Sequence, residues 1–264
     1  MIAVNGYLVE SGTFGDGTLK CPVAPGHILM TSEPNEIVWA YDNDAELFTL
    51  ICVTRDIQNR LPEAKIILTM PYIPHARQDR NVSGRLFTLK YFAEIINSLN
   101  FRTVVVLDPH SDVSEALLNR CLPCYTDELE DRIAGVDALV FPDAGAAKRY
   151  PSYGLPVIIG NKHRNSEGRI DSYDMLNFVD GVKSVIIRDD ICSYGGTFVA
   201  AAKALRARGV ENITLVVTHC ENNILKGEVF DYIDKVITTD SICTAEHPKL
   251  EIVTSYRKVE DSHV

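Results

Sequence analysis

Short β-branched runs alternate with amphipathic stretches along most of this 264-residue chain, which narrows the folds open to it. Strands separated by helical stretches need crossover connections, and crossovers produce parallel sheets covered by helices. Strands are expected over Lys65–Thr69, Thr103–Leu107, Ala138–Phe141, Pro156–Ile159, Lys183–Arg188, Ile213–Thr218 and Lys235–Thr238. In Asp44–Arg60, the residues Leu47, Leu50, Ile51, Thr54, Ile57 and Leu61 recur at helical spacing, with Asn43 or Asp44 as the cap. Leu86–Leu99 turns Leu89, Phe92, Ala93, Ile96 and Leu99 to one face, and Thr197–Arg208 is a third helix stopped by Gly209. The expected class is therefore α/β. A second strand–helix series begins after Leu122–Asp127, so the chain is expected to divide into 1–122 and 123–264.

Charge excludes one broad class of function. The 26 basic residues face 36 acidic ones, a net charge of −10, which argues against a general nucleic-acid binder. An anionic ligand would need a local basic cluster. No apolar run approaches the roughly 20 residues that span a bilayer. Met1–Gly6 lacks the basic-then-apolar pattern of a signal peptide, so a cytoplasmic protein with no membrane partner is expected. Seven cysteines without paired spacing fit free thiols in a reducing compartment. Cys121 and Cys124 form a lone C-x-x-C, with no second pair or His cluster to complete a zinc site.

The densest chemistry lies in Val185–Thr197. A β-branched strand ends in Asp189 and Asp190, passes a small-residue turn, and enters a helix at Thr197. Amides of a Gly-rich turn at a helix N-terminus favour phosphate, and paired acids before it suit sugar hydroxyls or a Mg²⁺. The run reads as a sugar-phosphate cradle, or as an ordinary strand–turn–helix junction with two surface acids. Position favours the cradle, because ligands of open parallel sheets bind beyond the strands' carboxyl ends. Asp108 with His110, Asp143, Asp189 with Asp190, and His219 all follow apolar runs there.

Three further segments follow strands. In Pro71–Arg80, guanidinium groups offer forks for phosphate oxygens and Gln78 can pair with a base edge; the alternative is a solvated charged loop. Leu107–His110 places an imidazole that could ligate a metal or orient a phosphate, or serve only structure. Asn161–Arg164 puts cations on an expected mobile loop, suited to neutralising charge in phosphoryl transfer, or on a surface hairpin.

Taken together and in order, these segments resemble the ribose-phosphate diphosphokinases, the synthetases of phosphoribosyl diphosphate. The resemblance is carried by PYIPHARQDR (71–80), LDPH (107–110), FPDAGAAKR (141–149), NKHR (161–164), RDDICSYGGT (188–197) and TTDSI (238–242), and covers about Val38 to Ile242. PHARQDR is its most specific part. It implies two similar phosphoribosyltransferase-like domains, ATP-binding and then ribose-5-phosphate-binding, with the active site between them. It also implies a homo-oligomer, at least a dimer, because Phe14 and Asp16 match a loop that reaches a neighbouring subunit's ATP. By the same resemblance Arg77, Gln78, Asp79 and His110 contact ATP, and His110 and Asp143 hold Mg²⁺. Lys162 and Arg164 match the catalytic loop. Asp189, Asp190, Ser193, Tyr194, Gly195, Gly196 and Thr197 match the ribose-5-phosphate loop.

The chain departs from the family pattern at several points. Ser193 and Tyr194 stand where Asp and Thr are expected, Ala146 replaces a loop glycine, and Thr18 replaces an acid. The N-terminal strand–helix unit is expected to be shortened, and the C-terminus to stop before a final helix. Two other functions stay open at this point. One is a phosphoribosyltransferase, opposed by the RQDR segment; the other is a non-catalytic regulatory subunit, favoured by Ser193, Tyr194 and Thr18.

Overall fold

The computed structural model describes residues 1–22, 33–82, 84–125, 129, 135–164 and 170–254, with side chains at 162–164 and 170–172 outside that description. The chain divides into two compact units, Met1–Tyr125 and Thr126–Ser255.

The first unit runs β1 (Ile2–Val4), β2 (Tyr7–Leu8), β3 (Gly12–Thr13), β4 (Leu19–Lys20), β5 (Asn35–Trp39), α1 (Glu46–Arg60), β6 (Ile66–Met70), α2 (Thr88–Ser98), β7 (Thr103–Leu107), α3 (Asp112–Leu117) and β8 (Cys121–Cys124). Its main sheet has the order β2-β1-β5-β6-β7-β8, and β3 with β4 forms a separate hairpin. The steps β5-β6-β7-β8 are parallel, as the alternation of elements requires. Leu50, Val53 and Ile57 of α1 and Leu89, Phe92 and Ile96 of α2 join Ile37, Trp39, Leu68 and Val104 of the sheet in one buried cluster.

The second unit runs β9 (Ala138–Phe141), α4 (Ala144–Arg149), β10 (Val157–Arg164), β11 (Ile170–Leu176), β12 (Ser184–Cys192), α5 (Gly196–Ala207), β13 (Asn212–Cys220), a 3₁₀ turn (Asn222–Lys226), α6 (Val229–Tyr232), β14 (Lys235–Thr239) and β15 (Leu250–Val253). The sheet order is β11-β10-β9-β12-β13-β14-β15. Succession proceeds one way from β9 and the other way from β12. These neighbours are therefore the switch point of an open parallel sheet, where a crevice opens beyond their carboxyl ends. Helices cover both faces. Phe198, Ala201, Ala202 and Leu205 of α5 cluster with Val185, Ile187 and Leu215, while Ala146 and Tyr150 cluster with Ile186, Val216 and Ile237.

Several local expectations change. Neither Asn43 nor Asp44 caps α1. The cap position is Ala45, without a side-chain bond, and the Asn43 carboxamide instead accepts from the Ala45 amide at 3.0 Å, closing the turn before the helix. Sequence reading passed over β1 to β5, β8, β11 and β15. Cys121 and Cys124 lie on β8, three residues apart and so on opposite faces, which separates the two thiols. Burial pushes the Cys121 thiol up to about 11. Lys162 and Arg164 belong to a strand rather than a mobile loop, because the β-branched start of β10 continues into an antiparallel ladder with β11. Lys162 opposes Tyr173, and Arg164 opposes Ile170 after a bulge.

Candidate active site

In the first unit the polar residues collect beyond β6 and β7. Asp79 is buried, and its carboxylate accepts from Arg80 Nε at 2.9 Å and from Ser111 Oγ at 2.8 Å. Ser111 follows the 107–110 segment, so this bond ties the 71–80 loop to the loop after β7. Burial opposes ionisation of Asp79. The hydrogen bonds from Arg80 and Ser111, with the nearby charges of Arg80 and His110, prevail and hold its pKa below the usual value. Asp79 is thus an internal tether. Arg77 and Gln78 are exposed beside it, and Gln78 Oε1 accepts from Thr88 Oγ1 at 3.0 Å at the start of α2. Asp108 is buried in a left-handed conformation (φ 39°) and turns the chain sharply toward His110.

Phe14 and Asp16 lie on the β3–β4 hairpin. Phe14 is 54% exposed. Asp16 is occupied locally, accepting from the Thr18 hydroxyl at 2.7 Å and amide at 3.0 Å. Thr18, standing where an acid was expected, therefore braces Asp16.

The second unit gathers its polar groups at the β9/β12 switch point. Asp143 Oδ1 caps α4, accepting from the amides of Gly145 at 2.9 Å and Ala146 at 3.1 Å. Behind it Tyr173 reaches toward the Pro142 carbonyl, at 3.4 Å. A Cβ at residue 160 would stand 1.8 Å from the Tyr173 hydroxyl, so only glycine leaves the ring its place. Burial, then the charges of Asp143 and Asp189, push the Tyr173 phenol up, which keeps it neutral.

The two acids of β12 have different surroundings. Asp190 is buried and ion-paired with Arg149 at 2.8 Å. Asp189 is raised well above the usual carboxylate range, by burial first and then by the Asp190 charge, with Asp143 adding. Adjacent acids on a strand, expected to serve a ligand jointly, stay linked to each other: Asp189 Oδ1 accepts from the Asp190 amide at 2.9 Å, while Asp190 also pairs with Arg149. Under them Arg188, itself buried, stacks over the Tyr150 ring at 4.0 Å and donates to Thr218 Oγ1 at 3.1 Å. Sequence reading passed over Arg149, Tyr150, Arg188 and Tyr173. The one available signal was an arginine embedded in the β-branched run of β12, which only an internal partner would permit.

The turn after β12 has the expected form. Gly195 is the N-terminal cap of α5 with φ 75°, a conformation that favours glycine. Ser193 donates its hydroxyl to Glu221 Oε2 at 2.5 Å. The Tyr194 ring is exposed, and Gly196 and Thr197 open the helix. His219, another strand-end candidate, is buried with Nδ1 2.8 Å from Ser241 Oγ and serves the interior.

Among the described residues no group of three or more His, Cys, Asp or Glu side chains could hold a metal by itself. Mg²⁺ arriving on a nucleotide needs only one or two protein oxygens, because phosphates and water complete its shell. The Asp143 carboxylate suits that limited role by donor chemistry. The side chains of Lys162 and Arg164 fall outside the described set. Among the described residues no helix is long and apolar enough to cross a membrane.

No family model matches the chain. Among curated proteins it is similar to the ribose-phosphate pyrophosphokinase of Thermosipho africanus, 28% identical over 264 aligned residues that cover 93% of this chain and 82% of the relative. The same-named protein of a Marinomonas species is 28% identical over 221 residues, 76% of this chain and 67% of that one. Among solved structures, the phosphoribosylpyrophosphate synthetase of Mycobacterium smegmatis superposes with a TM-score of 0.71. It is 19% identical and covers 94% of this chain and 86% of that one, a likeness of fold.

Proposed function

We propose that this chain, a homologue of the ribose-phosphate pyrophosphokinases on a phosphoribosyltransferase-like fold, moves the β,γ-diphosphoryl group of ATP to ribose 5-phosphate. The products are phosphoribosyl diphosphate and AMP. The observation that carries this reading is the sequence similarity to proteins of that name across 93% of the chain. The acids and the Gly-rich turn at the carboxyl ends of β9 and β12 support it, since ligands of such sheets bind there.

In this mechanism the sugar's anomeric hydroxyl attacks the β-phosphorus in line. Its bond to phosphorus forms as the bond to the AMP oxygen breaks, and the hydroxyl proton is lost to solvent. Amides of the turn from Ser193 to Thr197 hold the 5-phosphate at the start of α5. Asp189 accepts from sugar hydroxyls, while Asp190, bound to Arg149, holds the strand end in shape. Arg77 and Gln78 bind ATP on the scaffold that Asp79 tethers. His110 in the first unit and Asp143 in the second would each serve as a Mg²⁺ ligand, and the ion when bound would neutralise phosphate charge. Lys162 and Arg164 offset charge on the transferring group. Phe14, exposed on its hairpin, supports a homo-oligomer in which it meets a second copy.

One observation favours a second reading, a sugar-phosphate or nucleotide binder without turnover. Asp190 is committed to Arg149, which leaves one fewer acid for the ligand.

The test is AMP release from ATP and Mg²⁺ by purified protein, with and without ribose 5-phosphate. Sugar-dependent AMP with matching phosphoribosyl diphosphate is expected. Ligand binding without AMP would shift the assignment to the second reading. Lys162→Ala is expected to lower turnover by about two to three decades, the scale of one lost electrostatic donor.

A further inference from the structure

A carboxylate reaches the turn after β12 from a different strand. Glu221 is the first residue beyond β13, and β12 and β13 run in parallel with Cys192 opposite Cys220. The Glu221 amide donates to the Cys192 carbonyl at 2.8 Å, which fixes its backbone against the turn. Its Oε2 accepts from Ser193 Oγ at 2.5 Å and from Asn223 Nδ2 at 3.2 Å. The chain following Glu221 packs onto the same turn. A Cβ at residue 227 would stand 2.1 Å from the Tyr194 carbonyl oxygen, and one at residue 195 would stand 2.1 Å from Val229 Cγ2. Two turns from neighbouring strands thus form one packed body, with Ser193 and Glu221 as their polar link.

That link determines what Ser193 can recognise. A serine hydroxyl has one proton and two lone pairs. With the proton given to Glu221, the oxygen has only lone pairs to offer a ligand. Lone pairs attract a hydroxyl donor and repel phosphate oxygens, which are acceptors themselves. A carboxylate beside a phosphate-binding turn would otherwise weaken phosphate binding by like charge, so its presence there favours a hydroxyl-bearing ligand.

We propose that Glu221 is a positioning residue of the sugar site: it acts through Ser193, orienting that hydroxyl to accept from a sugar hydroxyl. Together the two side chains supply from β13 the acid that residue 193 lacks. This rests on the reading that the turn binds ribose 5-phosphate.

The experiment compares wild type, Glu221→Ala and the double variant Ser193→Asp/Glu221→Ala. Calorimetric titrations use ribose 5-phosphate and, separately, inorganic phosphate, with AMP release followed in parallel. Glu221→Ala is expected to weaken ribose 5-phosphate about ten- to a hundredfold, the scale of a lost charge-assisted bond, while phosphate binds equally well or better. Ser193→Asp, by returning a carboxylate directly to the turn, is expected to recover most of that loss. Parallel weakening of both ligands without recovery would reduce Glu221 to a structural prop and overturn the proposal, as would unchanged sugar-phosphate binding. If Glu221→Ala does not fold, Glu221→Met, of similar length but with no oxygen to accept from Ser193, is expected to give the same split, and equal effects on both ligands would again overturn it. Wild type that shows the expected binding pattern but releases no AMP supports the role of Glu221 and overturns only the diphosphoryl transfer. Wild type that fails to bind ribose 5-phosphate overturns both.

Discussion

The Arg149 guanidinium lies 2.8 Å from the Asp190 carboxylate, with side chains 18% and 5% exposed, so α4 and the end of β12 are joined by a largely buried ion pair. Removing one partner strands the other's charge in a poorly solvated place. Arg149→Met is expected to cost about 3–5 kcal/mol in urea unfolding, and Arg149→Met/Asp190→Leu much less, because no lone charge remains. A single variant within about 1 kcal/mol of wild type would mean that water reaches the pair and screens it.

Asp189 offers a test through pH. Its folded pKa is raised, so the native state favours the protonated acid. Its stabilising contribution is complete below the unfolded value of 3.8 and is lost as pH rises through the folded value. Asp189→Asn is therefore expected to stabilise the fold at pH 7.5 and to gain little near pH 4, while sugar-dependent activity falls. Thermal melts at both pH values check this, and a gain that fails to shrink in acid would contradict the burial argument.

The Ser111–Asp79 bond has the opposite sign. Asp79 has a lowered folded pKa, so its contribution is present above 3.8 and lost as pH falls through the folded value. Ser111→Ala is expected to cost about 1.5–3 kcal/mol at pH 7, the range for a bond to a charged group, and less in acid. Because this bond tethers the 71–80 loop, the KM for ATP should rise while that for ribose 5-phosphate holds. Equal changes in both would disprove the tether.

Gly195 combines two constraints that one pair of variants separates. Alanine there would take a strained positive φ of 75° and place its Cβ 2.1 Å from Val229 Cγ2. Gly195→Ala should lower stability by at least about 1–2 kcal/mol from backbone strain alone. Adding Val229→Ala should remove the collision but not the strain. Full recovery in the double variant would show that the φ requirement is weak.

Much of the architecture was legible because it depends on local periodicity. The apolar spacing in α1 and α2 and the β-branched runs of β6, β7, β9, β12 and β13 set these elements before any contact forms. The turn at 189–197 was legible for the same reason, since a glycine at positive φ leading into a helix is a local event. The α1 cap and the length of β10 were not. An asparagine can close a turn as readily as cap a helix, and β10 reaches Arg164 only because β11 lies beside it.

The amino-acid sequence by itself determined the α/β class, the polar residues at the strands' carboxyl ends and the glycine turn that opens α5. Which carboxylate serves which purpose was decided only by the tertiary structure. Asp189 and Asp190 are neighbours in the chain, yet Asp190 pairs with Arg149 from α4 while Asp189 Oδ1 accepts from the Asp190 amide. Glu221 lies 28 residues beyond Ser193, yet its carboxylate bonds that hydroxyl. Burial and charge pairing depend on what the fold brings within a few ångströms, and separation along the chain does not encode that distance.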